Sequence, residues 1–145
     1  AFLSTYSAAA TCREFSRRLI ALALMLGAAG VILSVILYLS SDSLIVTLFG
    51  EDYTGAISSF RIIVWLLPVI FVTSFLGRLL IFFNYEWPLA KGLLAATLMN
   101  ALLNWVLIRL YGIEGAAVAT ILTEALILVY QSLLVIILLR SWSCD

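Results

Sequence analysis

The sequence contains no histidine, and among its 145 residues only two are cysteine and two are proline. Without histidine, no His-containing metal set or His-based catalytic set can be assembled. Cys12 and Cys144 are widely separated and lie outside the apolar runs, so they carry neither a metal motif nor a disulfide framework. No glycine-rich phosphate-binding loop is present, which argues against a nucleotide-driven motor in this stretch. Charge is also scarce. Only 11% of residues are charged, against about 25% in an ordinary soluble domain. The eight basic and eight acidic residues cancel, so no bulk field draws in nucleic acid or an acidic partner. No nucleophile, base or metal cluster accompanies the one deep carboxylate, Glu124, and the chain is not expected to be an enzyme.

What remains is apolar: 65% of the residues are hydrophobic and the mean hydropathy is +1.20. This is the composition of an all-α integral membrane protein, in which helices satisfy their own backbone hydrogen bonds. Four runs approach or exceed the roughly 20 residues that a spanning helix requires. They are expected at about 19–39, 60–83, 89–110 and 115–139. Residues 1–10 are apolar but lack a basic n-region, so they read as the tail of an earlier membrane helix rather than a signal peptide. The chain is accordingly expected to be one transmembrane segment of a larger protein.

The polar residues inside these runs carry the functional content. Gly27 and Gly30 have the spacing that lets helix backbones approach closely. Asp42 or Ser43 is an expected N-cap. The following LIVTLF run is too short to span and is either an interfacial turn or a continuation of the first helix. Gly50 permits a tight turn. Pro68 is expected to kink the second span, whereas Pro88 suits the first turn of the third. Arg61 lies near a helix start and can snorkel. Arg78 either snorkels to the nearer surface or faces a watery cavity and pairs with an anion. Thr97, Asn100 and Asn104 share one helical face; the amides either bond to a neighbouring helix or line a path.

Gly112 is placed as a C-cap, and Glu114 complements the positive end of the last helix. Gly115, Ala116, Ala117 and Ala119 offer a small-residue packing surface. Glu124 sits about 15 Å into that helix at the standard rise. At that depth it must be protonated, paired or wet, as a functional group or as a hydrogen-bond strut. Thr120, Glu124 and Gln131 fall at helical spacing as a polar stripe.

Arg13, Arg17, Arg18, Lys91 and Arg140 fall on one side of the membrane, with Arg78 leaning that way. Arg61, Arg109, Asp42, Glu51, Asp52 and Glu114 fall on the other. The positive-inside rule then puts both ends in the cytoplasm, where the cysteines stay reduced.

Three stretches resemble one known family. Near the start, FLSTYS and the short charged segment after it resemble the end of an earlier helix and its cytoplasmic loop. LIVTLFGEDYTGA is similar to an LFG-acid-Tyr turn, here Leu48, Phe49, Gly50, Glu51 and Tyr53. NALLNWVLIRLYGIEGAAVATILTE resembles an N-x-x-x-N…G-x-x-G-A-A-x-A-T…E pattern, carried by Asn100, Asn104, Gly112, Gly115, Ala116, Ala117, Ala119, Thr120 and Glu124. In order and spacing these resemble the C-terminal third of polysaccharide (O-antigen type) flippases of the multidrug/oligosaccharidyl-lipid/polysaccharide exporter superfamily. One departure is Leu3, where that family often carries proline.

The resemblance implies the last four spans of a twelve-helix, two-lobe transporter in the bacterial inner membrane. Its cargo would be a polyprenyl-pyrophosphate-linked oligosaccharide for cell-surface polysaccharide, and its other partners membrane lipid and the preceding helices of the same protein. No cofactor is implied beyond H+ or Na+ as coupling ion. Within that frame Arg78 is the candidate for the phosphates, and Asn100, Asn104 and Gln131 for sugar hydroxyls. Glu124 is the candidate for coupling, and Gly50, Gly112 and Gly115 are structural turns. A cation-coupled exporter of drugs or metabolites from the same superfamily is the alternative. A non-transporting membrane scaffold subunit is the second.

Overall fold

The computed structural model describes the backbone of residues 2–142 and the side chains of residues 14–141. The Cys12 side chain and the whole of Cys144 therefore lie outside the described residues. Six α-helices follow in order: α1 (Phe2–Leu39), α2 (Ser41–Phe49), α3 (Ile57–Ile63), α4 (Leu67–Phe82), α5 (Glu86–Tyr111) and α6 (Ile113–Trp142). Two 3-10 segments, Glu51–Ala56 and Val64–Leu66, lead into α3 and join α3 to α4. Among the described residues every regular element is helical.

Four helical stretches are long and apolar enough to cross a membrane: Glu14–Leu39, Glu51–Phe82, Glu86–Tyr111 and Ile113–Ser141. The shortest has 26 residues, about 39 Å at the helical rise and longer than a hydrocarbon core of about 30 Å. Large side chains such as Leu24, Met25, Leu94 and Leu126 stay exposed, as befits a surface whose solvent is lipid.

The helices pair in a definite pattern. α4 packs on both α1 and α6, and α6 also packs on α5 and α3. Successive spans run antiparallel. Gly30 meets Pro68 and Gly27 meets Val72 across α1 and α4, while Gly92 meets Tyr130 and Gly115 meets Leu107 across α5 and α6. Leu76, Leu80, Leu89 and Val135 form a core around the α4–α5 turn. α1 continues without a break through the charged segment 11–18.

The second span begins earlier than residue 60 and is segmented. Pro68 has no N–H to offer the Val64 carbonyl and cannot continue a regular α-helix back through that turn. The chain tightens into the 3-10 segment instead, and the Leu67 N–H takes Val64 O. A second donor comes from α1, where buried Ser34 places its hydroxyl 2.7 Å from the same carbonyl. Gly30 makes this contact feasible, because a Cβ there would lie 2.5 Å from Pro68 Cα.

The first connection differs from expectation. Ser40, not Asp42 or Ser43, occupies the N-cap position of α2, without a capping side-chain bond. Its hydroxyl turns back to the Ile36 carbonyl. Asp42 is engaged elsewhere, in an ion pair with Arg61. The LIVTLF run lies in α2, a short helix of its own ended by Gly50 at φ 93°.

The α4–α5 turn closes by a device that composition does not advertise. Asn84 takes φ 59°, Tyr85 N–H reaches Leu80 O at 2.9 Å, and Asn84 N–H reaches Ile81 O at 3.0 Å. This is a Schellman closure with asparagine in the left-handed position. The α5–α6 turn uses Gly112 at φ 61°, ψ −141°, a region that side chains exclude. Gly115 follows immediately, and a Cβ there would sit 2.1 Å from the Leu107 carbonyl oxygen.

Candidate functional site

The middle of the α5–α6 contact is polar. Asn100 Nδ2 donates to Thr123 Oγ1 at 3.0 Å and lies 3.5 Å from the Ala119 carbonyl. Asn104 Nδ2 donates to Asn100 Oδ1 at 2.9 Å and to the Asn100 carbonyl at 3.0 Å. Thr123 in turn donates to Ala119 O at 2.9 Å. The result is a chain of hydrogen bonds running from Asn104 through Asn100 and Thr123 to the backbone of α6. Its first action is cohesion, since helices in lipid have little hydrophobic drive to associate and rely on packing and such bonds.

Thr97 does not join it. Its exposed hydroxyl bonds to Leu93 O within α5.

Thr123 was not singled out in the sequence, yet it is the partner through which Asn100 reaches α6. The available cue was spacing. Gly115, Ala119 and Thr123 recur every four residues, so the small-residue stripe continues one step past Ala119.

Glu124, next to Thr123, is half-buried. Among the described residues its carboxylate has no hydrogen-bond or ion-pair partner. Thr120, Glu124 and Gln131 do not act as one stripe. Thr120 donates to Ala116 O and lines a groove shared with α3. Gln131 is buried against α4, where a Cβ on Gly77 would lie 3.4 Å from its Nε2. Among the described residues its buried Oε1 has no partner. The asparagine chain and Gln131 thus occupy two different contacts of α6, one with α5 and one with α4.

Arg78 follows Gly77 on α4 but is exposed, and among the described residues it makes no ion pair. Asn100, Asn104 and Thr123 are therefore brought together, whereas Arg78, Gln131 and Glu124 each stand apart from that chain. Gly50, Gly112 and Gly115 all lie at or beside connections between helices.

A second polar cluster sits at the opposite end from the Leu80 core. Arg61 donates from Nε to buried Ser41 Oγ at 2.8 Å and from its terminal nitrogen to Asp42 Oδ2 at 2.6 Å. Its guanidinium also lies 5.4 Å from the centre of the Tyr38 ring. This fastens α2 and α3 to the end of α1. Arg109 stacks over Trp105 at 4.2 Å, a cation–π contact. Two turns beyond Thr123 on the same face of α6, Tyr130 lays its ring over Gly92 of α5 and donates to Pro88 O at 2.7 Å.

Among the described residues, no three His, Cys, Asp or Glu side chains are grouped to hold a metal ion. No protein-family model matches this sequence, and neither curated proteins nor solved structures match it.

Proposed function

We propose that this chain forms the last four spans of a twelve-helix, two-lobe transporter in a bacterial inner membrane, with both ends of the segment cytoplasmic. Its cargo is a polyprenyl-pyrophosphate-linked oligosaccharide carried toward the outer leaflet for surface polysaccharide synthesis. The observation that carries this reading is Glu124: a half-buried carboxylate, about 17 Å along α6 at the helical rise, with no partner among the described residues. Ionisable groups held at such depth belong by default to ion or substrate pathways. The family-like LFG-acid-Tyr turn and the Asn100–Glu124 pattern supply the direction of the inference.

The residues divide the work. Asn100 and Asn104 hold α5 to α6 through Thr123, and Gln131 fills the α4–α6 contact. Arg78, exposed and unpaired, is the cation offered to the pyrophosphate. Glu124 is the group offered to H+ or Na+. Chemistry on the cargo is not part of this role, so the chain acts as a carrier and not as an enzyme.

The full-length gene should restore surface polysaccharide to a bacterium lacking its own polysaccharide flippase, and Arg78→Ala should lose that restoration while inserting normally. A well-inserted protein that restores nothing in hosts of several sugar types would contradict the cargo. An unpaired carboxylate also suits a cationic cargo, so the cation-coupled exporter is the second reading; resistance conferred on an efflux-deficient strain distinguishes it.

A further inference from the structure

A groove of about 500 Å³ opens beside the Gly112 turn, within the usual size range of small-ligand pockets, about 300–1,000 Å³. Phe49 from α2, Tyr53 from the 3-10 segment, Ser59 and Phe60 from α3, and Ala116 and Thr120 from α6 are among its walls. The α6 wall extends from Ile113 to Thr120, a depth of about 10 Å at the helical rise. Nearly all of the wall is apolar. Its polar exceptions are informative. Thr120 spends its hydrogen on Ala116 O. Ser59 is 9% exposed, and among the described residues its hydroxyl has no partner.

The residues that adjoin this wall in the sequence, here called its rim, carry the opposite chemistry. Glu51 and Asp52 immediately precede Tyr53, and Glu114 follows Ile113. All three carboxylates are exposed, and none has a partner among the described residues. The cations at this end are already engaged: Arg61 with Asp42, and Arg109 over Trp105. The Tyr53 ring stands at the same rim, 6.0 Å from the Phe49 ring. A ring face beside carboxylates is an attractive place for an ammonium group.

We infer that this groove binds a single-chain cationic amphiphile, with its ammonium head among Glu51, Asp52, Glu114 and Tyr53 and its hydrocarbon tail along Phe60, Ala116 and Thr120. Charge complementarity selects the head. The apolar walls hold the hydrocarbon chain, and the Ser59 hydroxyl, unpaired among the described residues, offers a partner to a polar group on the ligand. The site stands at the opposite end of the helices from Arg78 and does not depend on the identity of the flippase cargo.

The test uses the full-length gene product in nanodiscs with three photoactivatable probes that share a twelve-carbon tail and carry a trimethylammonium, a sulfate or a maltoside head. The ammonium probe should label peptides covering residues 45–63 and 113–120 at least fivefold more strongly than the other two. Two variants separate head from tail. Neutralising the rim with Glu51→Gln, Asp52→Asn and Glu114→Gln should abolish the preference for the ammonium head. Ala116→Phe should suppress labelling by filling the groove. The rim variant changes exposed residues only, so it remains decisive if Ala116→Phe does not fold. Equal labelling by all three probes would make the groove an ordinary lipid crevice and overturn the proposal. So would labelling confined to other peptides, or an ammonium preference that survives rim neutralisation.

Discussion

Ser34 on α1 donates a 2.7 Å hydrogen bond to the carbonyl of Val64, the group that Pro68 leaves without its α-helical donor. The irregularity created by one residue in the second span is thus answered by a hydroxyl from the first. Gly30, one turn earlier, removes the atom that would hold the two backbones apart. The α1–α4 contact is therefore most sensitive at Gly30 and Ser34. Ser34→Ala should cost about 1 kcal/mol, the net worth of one hydrogen bond. Gly30→Ala should cost more, about 1–3 kcal/mol, as an overpacked contact. Gly27→Ala, whose new Cβ would find only Val72 at 3.6 Å, should be close to neutral. Unfolding in mixed micelles with increasing SDS gives all three values, and a Gly27 penalty as large as that of Gly30 would contradict the packing described.

The asparagine chain makes an ordered prediction of its own. Asn100 crosses to α6, whereas among the described residues Asn104 bonds only within α5. Asn100→Leu should therefore destabilise the α5–α6 pair more than Asn104→Leu. A double-mutant cycle between Asn100 and Thr123 should return a coupling of about 0.6 kcal/mol, the average for interhelical hydrogen bonds in membranes, and no more than about 1.7. A cycle between Asn104 and Thr123 carried out in the same way should return a smaller value.

Arg61 and Asp42 separate an exposed ion pair from a buried hydrogen bond. The Asp42 side chain is 61% exposed, so Asp42→Asn should cost less than about 1 kcal/mol, and raising the salt should shrink even that. Arg61→Ala also strips a charged donor from the fully buried Ser41 hydroxyl and removes the contact with Tyr38. Its cost should be about 2 kcal/mol and should persist in high salt. Limited proteolysis within the Gly50–Ala56 connection would report the same loss as faster cutting.

Glu124 carries the functional prediction. Glu124→Gln keeps size and hydrogen-bonding capacity but removes the charge that a coupling ion needs. Insertion and thermal stability should stay near those of the parent, while gradient-driven transport falls by an order of magnitude or more. Transport that keeps its rate and its pH profile in Glu124→Gln would remove this residue from the cycle.

Much of the architecture was legible because bilayer thickness acts directly on sequence. Four long apolar runs, two prolines and a few punctuating glycines suffice to count the spans and to find Gly112. The pairing of helices was far less legible. In lipid, the surface that meets a neighbour and the surface that meets acyl chains are both apolar, so periodicity does not tell them apart. Gly92 lies beside Lys91 in an unremarkable run, and only the Tyr130 ring from another helix gives it a purpose. Gln131 and Asn100 look alike as deep amides, yet one faces α4 and the other α6. The N-cap of α2 was misplaced because Asp42 has a partner distant in sequence, Arg61, that local pattern does not reveal.

The most direct measurement is leaflet exchange of the cargo itself. The full-length gene product, reconstituted in proteoliposomes with a polyprenyl-pyrophosphate-linked oligosaccharide in one leaflet, should deliver sugar head groups to a glycosidase on the other side. The rate should exceed that of protein-free vesicles at least tenfold and should respond to an imposed proton or sodium gradient. A folded, correctly inserted protein that leaves the rate at the protein-free level, with cargo of matching sugar supplied and either gradient applied, would contradict the assignment of this chain to a lipid-linked oligosaccharide flippase.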